Sequence, residues 1–394
     1  MREAVIVSYA RTPIGRAFKG AFNRTLSPSL AGHAIAHAVE RASVAPDEIE
    51  DVVVGSVLTA GTAGLNIARQ ALIAAGLPVT VPGQTIDRQC ASGLMAIATA
   101  AHQVVHEGMK AVVAAGQDNI SAVQTDYFAA VRHAQDPAVT ARAEHAYMPM
   151  LQTAEHVARR YGISRDQQDA YALSSQQRTA AAQAAGRLDA EIVPMRASMA
   201  VIDREGKEIE RREILLEKDE GNRPETSAQS LAGLRTVLDG GTITAGNASQ
   251  LSDGAAACVV VEGAFARARN LPVLGVYRGM AVAGCAPEEM GIGPIYAVPK
   301  LLAHHGLALK DIGLWELNEA FACQALYCRD QLGIDPERFN VNGGTISIGH
   351  PYGMTGVRTA GHALLEGRRR GEKYVVATMC IGGGMGAAAL FETA

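Results

Sequence analysis

A strand–helix–strand pattern occurs twice in this chain, and that duplication narrows the folds open to it more than any single motif does. GLMAIATAAHQVVHEGMKAVVAAG (93–116) has a counterpart in GMTGVRTAGHALLEGRRRGEKYVVATMC (353–380). Each starts at a glycine and runs through a helical stretch to a Glu-Gly end, Glu107-Gly108 or Glu366-Gly367. Each then crosses a charged turn and enters an apolar strand. Upstream, APDEIEDVVVGSV (45–57) is echoed by ALKDIGLWELNEA (308–320). The spacings agree: Gly108 and Gly367 lie 259 residues apart, Ile49 and Ile312 263. Two similar halves of one α/β unit, side by side, are the economical reading. In that alignment Cys90 and His350 hold equivalent places, each just ahead of a helix.

The rest of the chain fits an α/β architecture. EAVIVSYA, IEDVVVGSVL, GQTIDR and KAVVAAGQ read as strands, with SLAGHAIAHAVERA and NIARQALIAAG as helices among them. Strands spaced by helices imply parallel or mixed sheets covered on both faces. From residue 119 to about 245 the pattern changes. Here lie TDYFAAVRHAQDPAVTARAEHAYMPM, the helical TAEHVARRYGISRDQQDAYALSSQQRTAAAQAAG and the charge-dense DREGKEIERREILLEKDEGNRPE. As an insertion into the first half, this segment is expected to form a lid or ligand-binding subdomain, with the charged run on a solvated surface.

Bulk properties exclude several classes. At 394 residues, 48% of them apolar and 19% charged, the chain is globular with ample core for two or three packed units. A net charge of −4 gives no basic footprint for nucleic acid. No run approaches the ~18 apolar residues of a membrane span. MREAVIVSYARTP enters a strand directly, without the regions of a signal peptide. Six cysteines (Cys90, Cys258, Cys285, Cys323, Cys328, Cys380) show no paired spacing, and a lone Cys323-x4-Cys328 makes a poor zinc site. The expectation is a cytoplasmic protein with free thiols, no metal, no membrane and no nucleic-acid partner.

Four polar stretches fall at turn-like places: Cys90 in DRQCASG, Asn318 and Glu319 in ELNEAFACQ, His350 in NVNGGTISIGHPYGMTG, and Cys380 in ATMCIGGGMGAA. Each also has a plain structural reading. A cysteine at the first turn of an Ala-rich helix is either a small buried hydrophobe or a thiolate favoured by free N–H groups and the positive helix end. Asn318 is a candidate helix cap, worth ~1 kcal/mol. His350 before Pro351 reads equally as a buried, satisfied histidine, and Cys380 as a core thiol at a strand end. The glycines after Cys380 resemble a loose dinucleotide fingerprint, but with only 387–394 beyond them no helix or second strand is expected to follow. They are read instead as admitting close backbone approach. Taken together, two thiols and an imidazole at strand–helix junctions of related halves are expected to converge at one end of a doubled fold, where ligands bind such sheets. A Cys–His pair makes a nucleophile, and a second cysteine can move protons.

DRQCASG, GNASQLSDGAA, NEAFA, NGGTISIGHPYGMTG and CIGGGMG, in this order, resemble the thiolases, the acetyl-CoA acyltransferases. The resemblance extends from VIVSYARTPIGR to the end of the sequence. It implies two mixed-sheet α/β halves, 1–270 and 271–394, layered α-β-α-β-α, with the inserted loop subdomain at about 120–245. It also implies thiolytic cleavage of 3-oxoacyl-CoA or the reverse condensation of acetyl-CoA through an acyl-cysteine. Carried over, Cys90 is the nucleophile and His350 its activator and an enolate-oxyanion donor. Asn318 holds the water that is the second donor, and Cys380 is the acid/base. The N–H groups of Cys90 and Gly382 form the other oxyanion hole.

On the coenzyme side the resemblance matches Ser249 to a pantetheine contact and Arg223 to a base contact, with Met150 beside them. Coenzyme A is then a co-substrate, not a resident cofactor, and the assembly a homodimer or homotetramer. The sequence departs from the pattern at Pro149-Met150-Leu151, where His-Met-Gly is usual, at Tyr352 and Met354, and at GQDNIS (116–121) in place of Gly-Met-Glu-Ser-Met-Ser. The stretch from Cys90 to TAE is also several residues shorter than in many tetrameric members. These differences leave the chemistry intact and bear on acyl-chain preference, coenzyme A pose and tetramer formation. The competing readings are a decarboxylating condensing enzyme, against which Cys380 argues, and a non-catalytic acyl-CoA-binding protein, against which Cys90, His350 and Cys380 all argue.

Overall fold

The apolar runs of the sequence become strands buried on both faces. The computed structural model describes residues 2–203 and 205–394. The first half contains β1 (Ala4–Arg11), the short β2 (Gly15–Arg16), α1 (Ser27–Ala42), β3 (Asp51–Gly55), α2 (Ile67–Ala74), β4 (Gly83–Ile86), α3 (Ser92–Val105) and β5 (Ala111–Asn119). An excursion follows, with α4 (Ile120–His133), α5 (Pro137–Thr140), α6 (Met150–Arg160), α7 (Arg165–Ala184), the hairpin β6 (Met195–Ile202) and β7 (Glu208–Leu216), and α8 (Ala228–Ala232). The chain returns through β8 (Ser252–Glu262) and α9 (Gly263–Ala268). The second half is β9 (Gly275–Gly284), α10 (Pro294–His305), β10 (Leu314–Leu317), α11 (Ala322–Leu332), α12 (Thr345–Ile348), α13 (Tyr352–Arg370), β11 (Tyr374–Ile381) and β12 (Met385–Thr393).

The internal repeat is a repeat of strand order and sense. In the first half β3 runs parallel to β4 and β5, β5 antiparallel to β8, and β8 antiparallel to β1. In the second, β10 runs parallel to β11, β11 antiparallel to β12, and β12 antiparallel to β9. The place of β4 is taken there by a single parallel bridge, Trp315 to Phe339. The halves join edge to edge through Val5–Val276 and Ile6–Gly275, which makes one ten-stranded sheet.

Side-chain alternation sorts the core into layers. In β8, Ala255, Ala257, Val259 and Val261 face α1 and α2, whereas Ala256, Cys258 and Val260 face α3 and α13. The same central layer receives Val375, Ala377 and Met379 from β11. Val376, Ala388 and Leu390 point away from it, to α10 and α11. The order is α1/α2, sheet, α3/α13, sheet, α10/α11, the layering expected above. Burial on both faces explains why these strands read as continuous apolar runs.

The two central helices cross backbone to backbone. A Cβ on Gly93 would lie 2.3 Å from the Gly353 carbonyl oxygen, and one on Gly356 2.1 Å from the Leu94 nitrogen. The glycines opening both repeats therefore mark one contact, which brings the starts of α3 and α13 together.

One expectation is corrected. A strand does follow the glycine run, because the nine residues Met385–Thr393 suffice for β12 and its central residues are buried. The glycines are the turn between β11 and β12, with Gly383 and Gly384 at φ 84° and 87°. The charge-dense run lies on the exposed surface expected of it. Its Glu208–Leu216 portion pairs with β6 in an exposed hairpin, whose apolar Met195 and Ala197 reach the core beside α1.

Candidate active site

Cys90 stands where the chain turns from β4 into α3. Gln89 ahead of it has φ 48°, a left-handed conformation uncommon for a non-glycine residue. Asp87 Oδ1 accepts the Gln89 N–H at 2.6 Å; Ser92 Oγ accepts the Arg88 N–H at 2.8 Å and donates to the Gln89 carbonyl at 2.7 Å. The helix begins only at Ser92, so the half-buried cysteine precedes it. Its thiol receives backbone N–H groups from Gly382 and from Cys90 itself. Burial outweighs these donors and pushes the thiol up to about 11, with Asp118 and Asp87 adding to the shift. Desolvation of the anion thus works against the thiolate that a helix start favours, and exceeds what two amides return.

His350 follows Gly349, whose φ of 107° and whose Cβ position 2.1 Å from Ser252 Oγ admit only glycine. The imidazole is buried and held on both sides. Nδ1 lies 2.6 Å from Thr355 Oγ1 and Nε2 3.3 Å from Asn318 Nδ2. The partners assign the tautomer. The Thr355 hydroxyl donates its one proton to the Pro351 carbonyl at 2.9 Å, so it accepts from Nδ1–H. Asn318 Oδ1 accepts from the Thr345 hydroxyl at 2.8 Å, so its amide N–H faces Nε2. The ring is thus neutral, with its basic nitrogen at Nε2. Burial, and then the Arg358 charge, depress its pKa to about 3. The Tyr352 ring packs edge-on at 5.2 Å.

Asn318 directly follows β10 and donates its N–H to the Thr378 carbonyl of β11 at 3.0 Å. Two residues on, Cys380 lies opposite Gly386 of β12, fully buried among Ala154, Ala320 and Phe321. Burial first, then Cys90, Cys328 and Cys285, push its thiol well above the ordinary range. The turn after it carries the Gly382 amide to the Cys90 sulfur. Asn318 thus meets His350, Cys90 shares the Gly382 turn with Cys380, and Tyr352, packed on His350, also feels the Cys90 charge.

The coenzyme-side residues divide. Met150 opens α6, and its sulfur lies 3.6 Å from where a Cβ on Gly382 would stand, so it borders the thiols. Ser249 donates its N–H to the Ala320 carbonyl at 2.9 Å, against the segment that follows Asn318. Arg223 is exposed on the loop before α8; its N–H donates to Gln176 Oε1 at 2.9 Å, and no described contact links it to the thiols or the imidazole. Among the described residues, no group of His, Cys, Asp or Glu is placed to hold a metal ion.

Sequence reasoning missed the supporting residues Thr345 and Thr355 and underused Glu319. Glu319 accepts from Tyr171 Oη at 2.7 Å, Ser175 Oγ at 2.8 Å, Asn340 Nδ2 at 3.1 Å and the Ile346 N–H at 3.2 Å, and so anchors the segment beside Asn318. Thr355 had a legible signal. With α13 starting after Pro351, a threonine in its first turn faces back toward His350.

Residues 4–264 match the family described as thiolase, N-terminal domain, and residues 271–393 match thiolase, C-terminal domain. The chain is 44% identical over 395 residues to a 3-ketoacyl-CoA thiolase of Bacillus subtilis, covering 100% of both. Among solved structures it resembles human mitochondrial 3-ketoacyl-CoA thiolase in complex with CoA (TM-score 0.87, 34% identity, 100% of this chain and 98% of that one). The dimeric peroxisomal thiolase of Saccharomyces cerevisiae is as close in shape (TM-score 0.86, 36% identity, 100% and 97%). With both family domains matched in order and the whole length aligned to relatives, the chain belongs to the thiolase family.

Proposed function

We propose that the chain cleaves 3-oxoacyl-CoA with coenzyme A to acetyl-CoA and a shortened acyl-CoA, and runs the reverse condensation through the same acyl-cysteine. His350 Nε2 removes the Cys90 proton, and the thiolate adds to the 3-keto carbon. The N–H groups of Cys90 and Gly382 donate to the oxygen on which charge develops. Collapse breaks the C2–C3 bond, and the electron pair becomes the enolate of acetyl-CoA. Protonated His350 and a water held by Asn318 face the enolate oxygen while Cys380 gives its proton to C2. The Cys380 thiolate then takes the proton of the incoming coenzyme A thiol, whose sulfur attacks the acyl carbon. Cys90 leaves as thiolate and recovers its proton from His350.

The raised pKa of Cys380 suits this task. A thioester α-carbon is a far weaker acid than an ordinary thiol, each unit of mismatch costs about 1.4 kcal/mol, and burial of Cys380 narrows the gap. One observation carries the reading: the β11–β12 turn brings the Gly382 amide to the Cys90 sulfur and, with it, Cys380 to the same place.

Coenzyme A is a co-substrate here, with Met150 and Ser249 along its path and Arg223 toward its base. The halves divide at 270/271, with the excursion at about 120–245 as the subdomain over the site. The protein works in the cytoplasm as a homo-oligomer. No helix among the described residues is long and apolar enough to cross a membrane.

The test combines loss of the Mg-acetoacetyl-CoA enolate absorbance, with and without coenzyme A, and intact-mass analysis after incubation with acetyl-CoA. Turnover that requires coenzyme A, together with acetyl on Cys90, is expected. Cys90→Ala should abolish both. Cys380→Ser should still acetylate Cys90, more slowly, while turnover falls far more steeply. Acetyl on Cys380, or acyl-CoA binding without turnover, overturns the assignment.

A further inference from the structure

β5 ends beside the reacting groups, and the buried carboxylate at its tip is used by none of the steps above. Asp118 accepts three backbone N–H groups, from Val57 at 3.2 Å, Leu58 at 2.9 Å and Gly353 at 2.6 Å. Val57 and Leu58 belong to the loop after β3, whereas Gly353 lies in the first turn of α13, three residues after His350. That helix has no cap of its own. Its N-cap is Pro351, which has no side-chain acceptor, and its first turn carries no acidic residue. A carboxylate from the other half of the molecule satisfies one of the orphan donors and compensates the positive helix end. α3, behind the thiol, also lacks a side-chain cap at Ala91, but Asp87 stands at its start, where its Oδ1 accepts from the Ser92 hydroxyl at 3.3 Å.

We propose that Asp118 is a positioning residue for the Cys90–His350 pair, docking the first turn of α13 onto the loop after β3 and so fixing where the imidazole stands relative to the thiol. This rests on the reading of Cys90 as nucleophile and His350 as base. The joint has little slack: a Cβ on Gly353 would lie 2.4 Å from the Gly55 carbonyl oxygen and 2.6 Å from that of Gln117. The carboxylate also acts through its charge. Burial lifts Asp118 to about 7 against the three amides that lower it, and Asp118 together with Asp87 raises Cys90 beyond what burial alone does. The groups that bear electrostatically on Cys90 are these two carboxylates, Cys380 and Tyr352; His350 meets Arg358 and the Tyr352 ring. Asp118 therefore opposes an early thiolate, so the thiol keeps its proton until His350 removes it.

The test compares two variants with wild type. Asp118→Asn keeps the shape, removes the charge and turns an amide N–H toward a backbone N–H. It should lose about 10- to 50-fold in kcat with KM nearly unchanged, as a small displacement of a catalytic group does. The pH midpoint for alkylation of Cys90 by iodoacetamide should also move down. Asp118→Glu restores a carboxylate on a longer stem. It should exceed Asp118→Asn in kcat and return the midpoint toward wild type. If Asp118→Asn does not fold, Asp118→Glu is read by its kcat, which stays near wild type if the carboxylate is what positions the pair and falls if only the filled space matters. A role in filling space predicts the reverse order, Asn above Glu, with an unmoved midpoint, and that result overturns the proposal. Absence of acetyl on wild-type Cys90 overturns the nucleophile reading and this proposal with it. Acetylated wild type beside an Asp118→Asn of unchanged kcat and midpoint overturns this proposal alone.

Discussion

Desolvation decides the resting state of Cys90. A thiol pushed up to about 11 differs from the thiolate–imidazolium pairs of many cysteine nucleophiles, in which the imidazole holds a proton at neutral pH. Here the imidazole, lowered to about 3, is neutral as well. Both shifts favour the uncharged forms, so in the proposed mechanism charge appears only as the proton moves from sulfur to Nε2. The sign is direct: a raised thiol pKa keeps the unreactive form to higher pH. Alkylation of Cys90 by neutral iodoacetamide should therefore be slow at pH 7 and still rising above pH 9, as read by peptide mass spectrometry. A plateau below pH 7 would show a preformed thiolate and contradict the burial argument. His350→Ala should lose several orders of magnitude in kcat with folding intact, since it removes the base and oxyanion donor of the proposed mechanism. Asn318→Ala should lose less in the same assay, because a displaced water is partly replaceable; equal losses would demand a more direct role for Asn318.

The crossing of α3 and α13 is the element on which the site depends. Each helix begins just after one member of the Cys90–His350 pair, and glycines at the crossing bring their backbones into contact. Gly356→Ala places a methyl 2.1 Å from the Leu94 nitrogen, where the obstacle is backbone and cannot rotate away. The helices must separate, at about 1–3 kcal/mol by analogy with overpacked cores. Thermal unfolding should show the loss, and kcat should fall with it because the helix starts carry Cys90 and His350 apart. Gly371→Ala is the control at the far end of α13, where the Cβ meets nothing within 4 Å but the φ of 72° still disfavours it. It should reduce stability and leave kcat per folded molecule unchanged. A Gly356→Ala enzyme with wild-type kcat would break the link between helix spacing and catalysis.

Across the whole molecule, a buried ionic cluster ties the halves to the excursion. Arg11 of β1 meets Glu191 at 2.8 Å and Asp219 at 2.7 Å, both from the excursion, while Glu191 also meets His362 of α13 at 3.0 Å. Arg358 of the same helix meets Glu316 of β10 at 3.3 Å. Burial alone would raise the Glu191 carboxyl, but Arg11 and His362 hold it down to about 2. A depressed carboxyl contributes stability above its unfolded pKa, near 4.5, and loses it as pH falls through about 2. His362 is raised, so its contribution is present below about 6.5 and is lost as pH rises through its folded value. Urea unfolding should therefore show stability falling between about pH 5 and pH 2, and Glu191→Gln should flatten that limb. An unchanged slope in the variant would place the acid sensitivity elsewhere.

The sequence by itself determined the duplicated α/β plan and the motif residues. Apolar runs flanked by glycines at a constant offset specify strand, helix and turn locally, and strands buried on both faces leave an unbroken apolar signature. Cys90, Asn318, His350 and Cys380 were legible because each interrupts such a run with a polar atom at a turn. The strand β12 was not, since a short Ala-rich segment after three glycines carries no periodicity of its own and becomes a strand only by pairing with β9 and β11. The protonation states were likewise beyond the sequence. Whether Cys90 is a thiol or a thiolate depends on a balance of burial against two amides, one of them from Gly382, 292 residues away. The tautomer of His350 depends on Thr355, Thr345 and Asn318 meeting in space. Asp118 capping the opposite half's helix follows from the same cause: local pattern sets which elements form, while desolvation and hydrogen bonding across distant segments set what their side chains do.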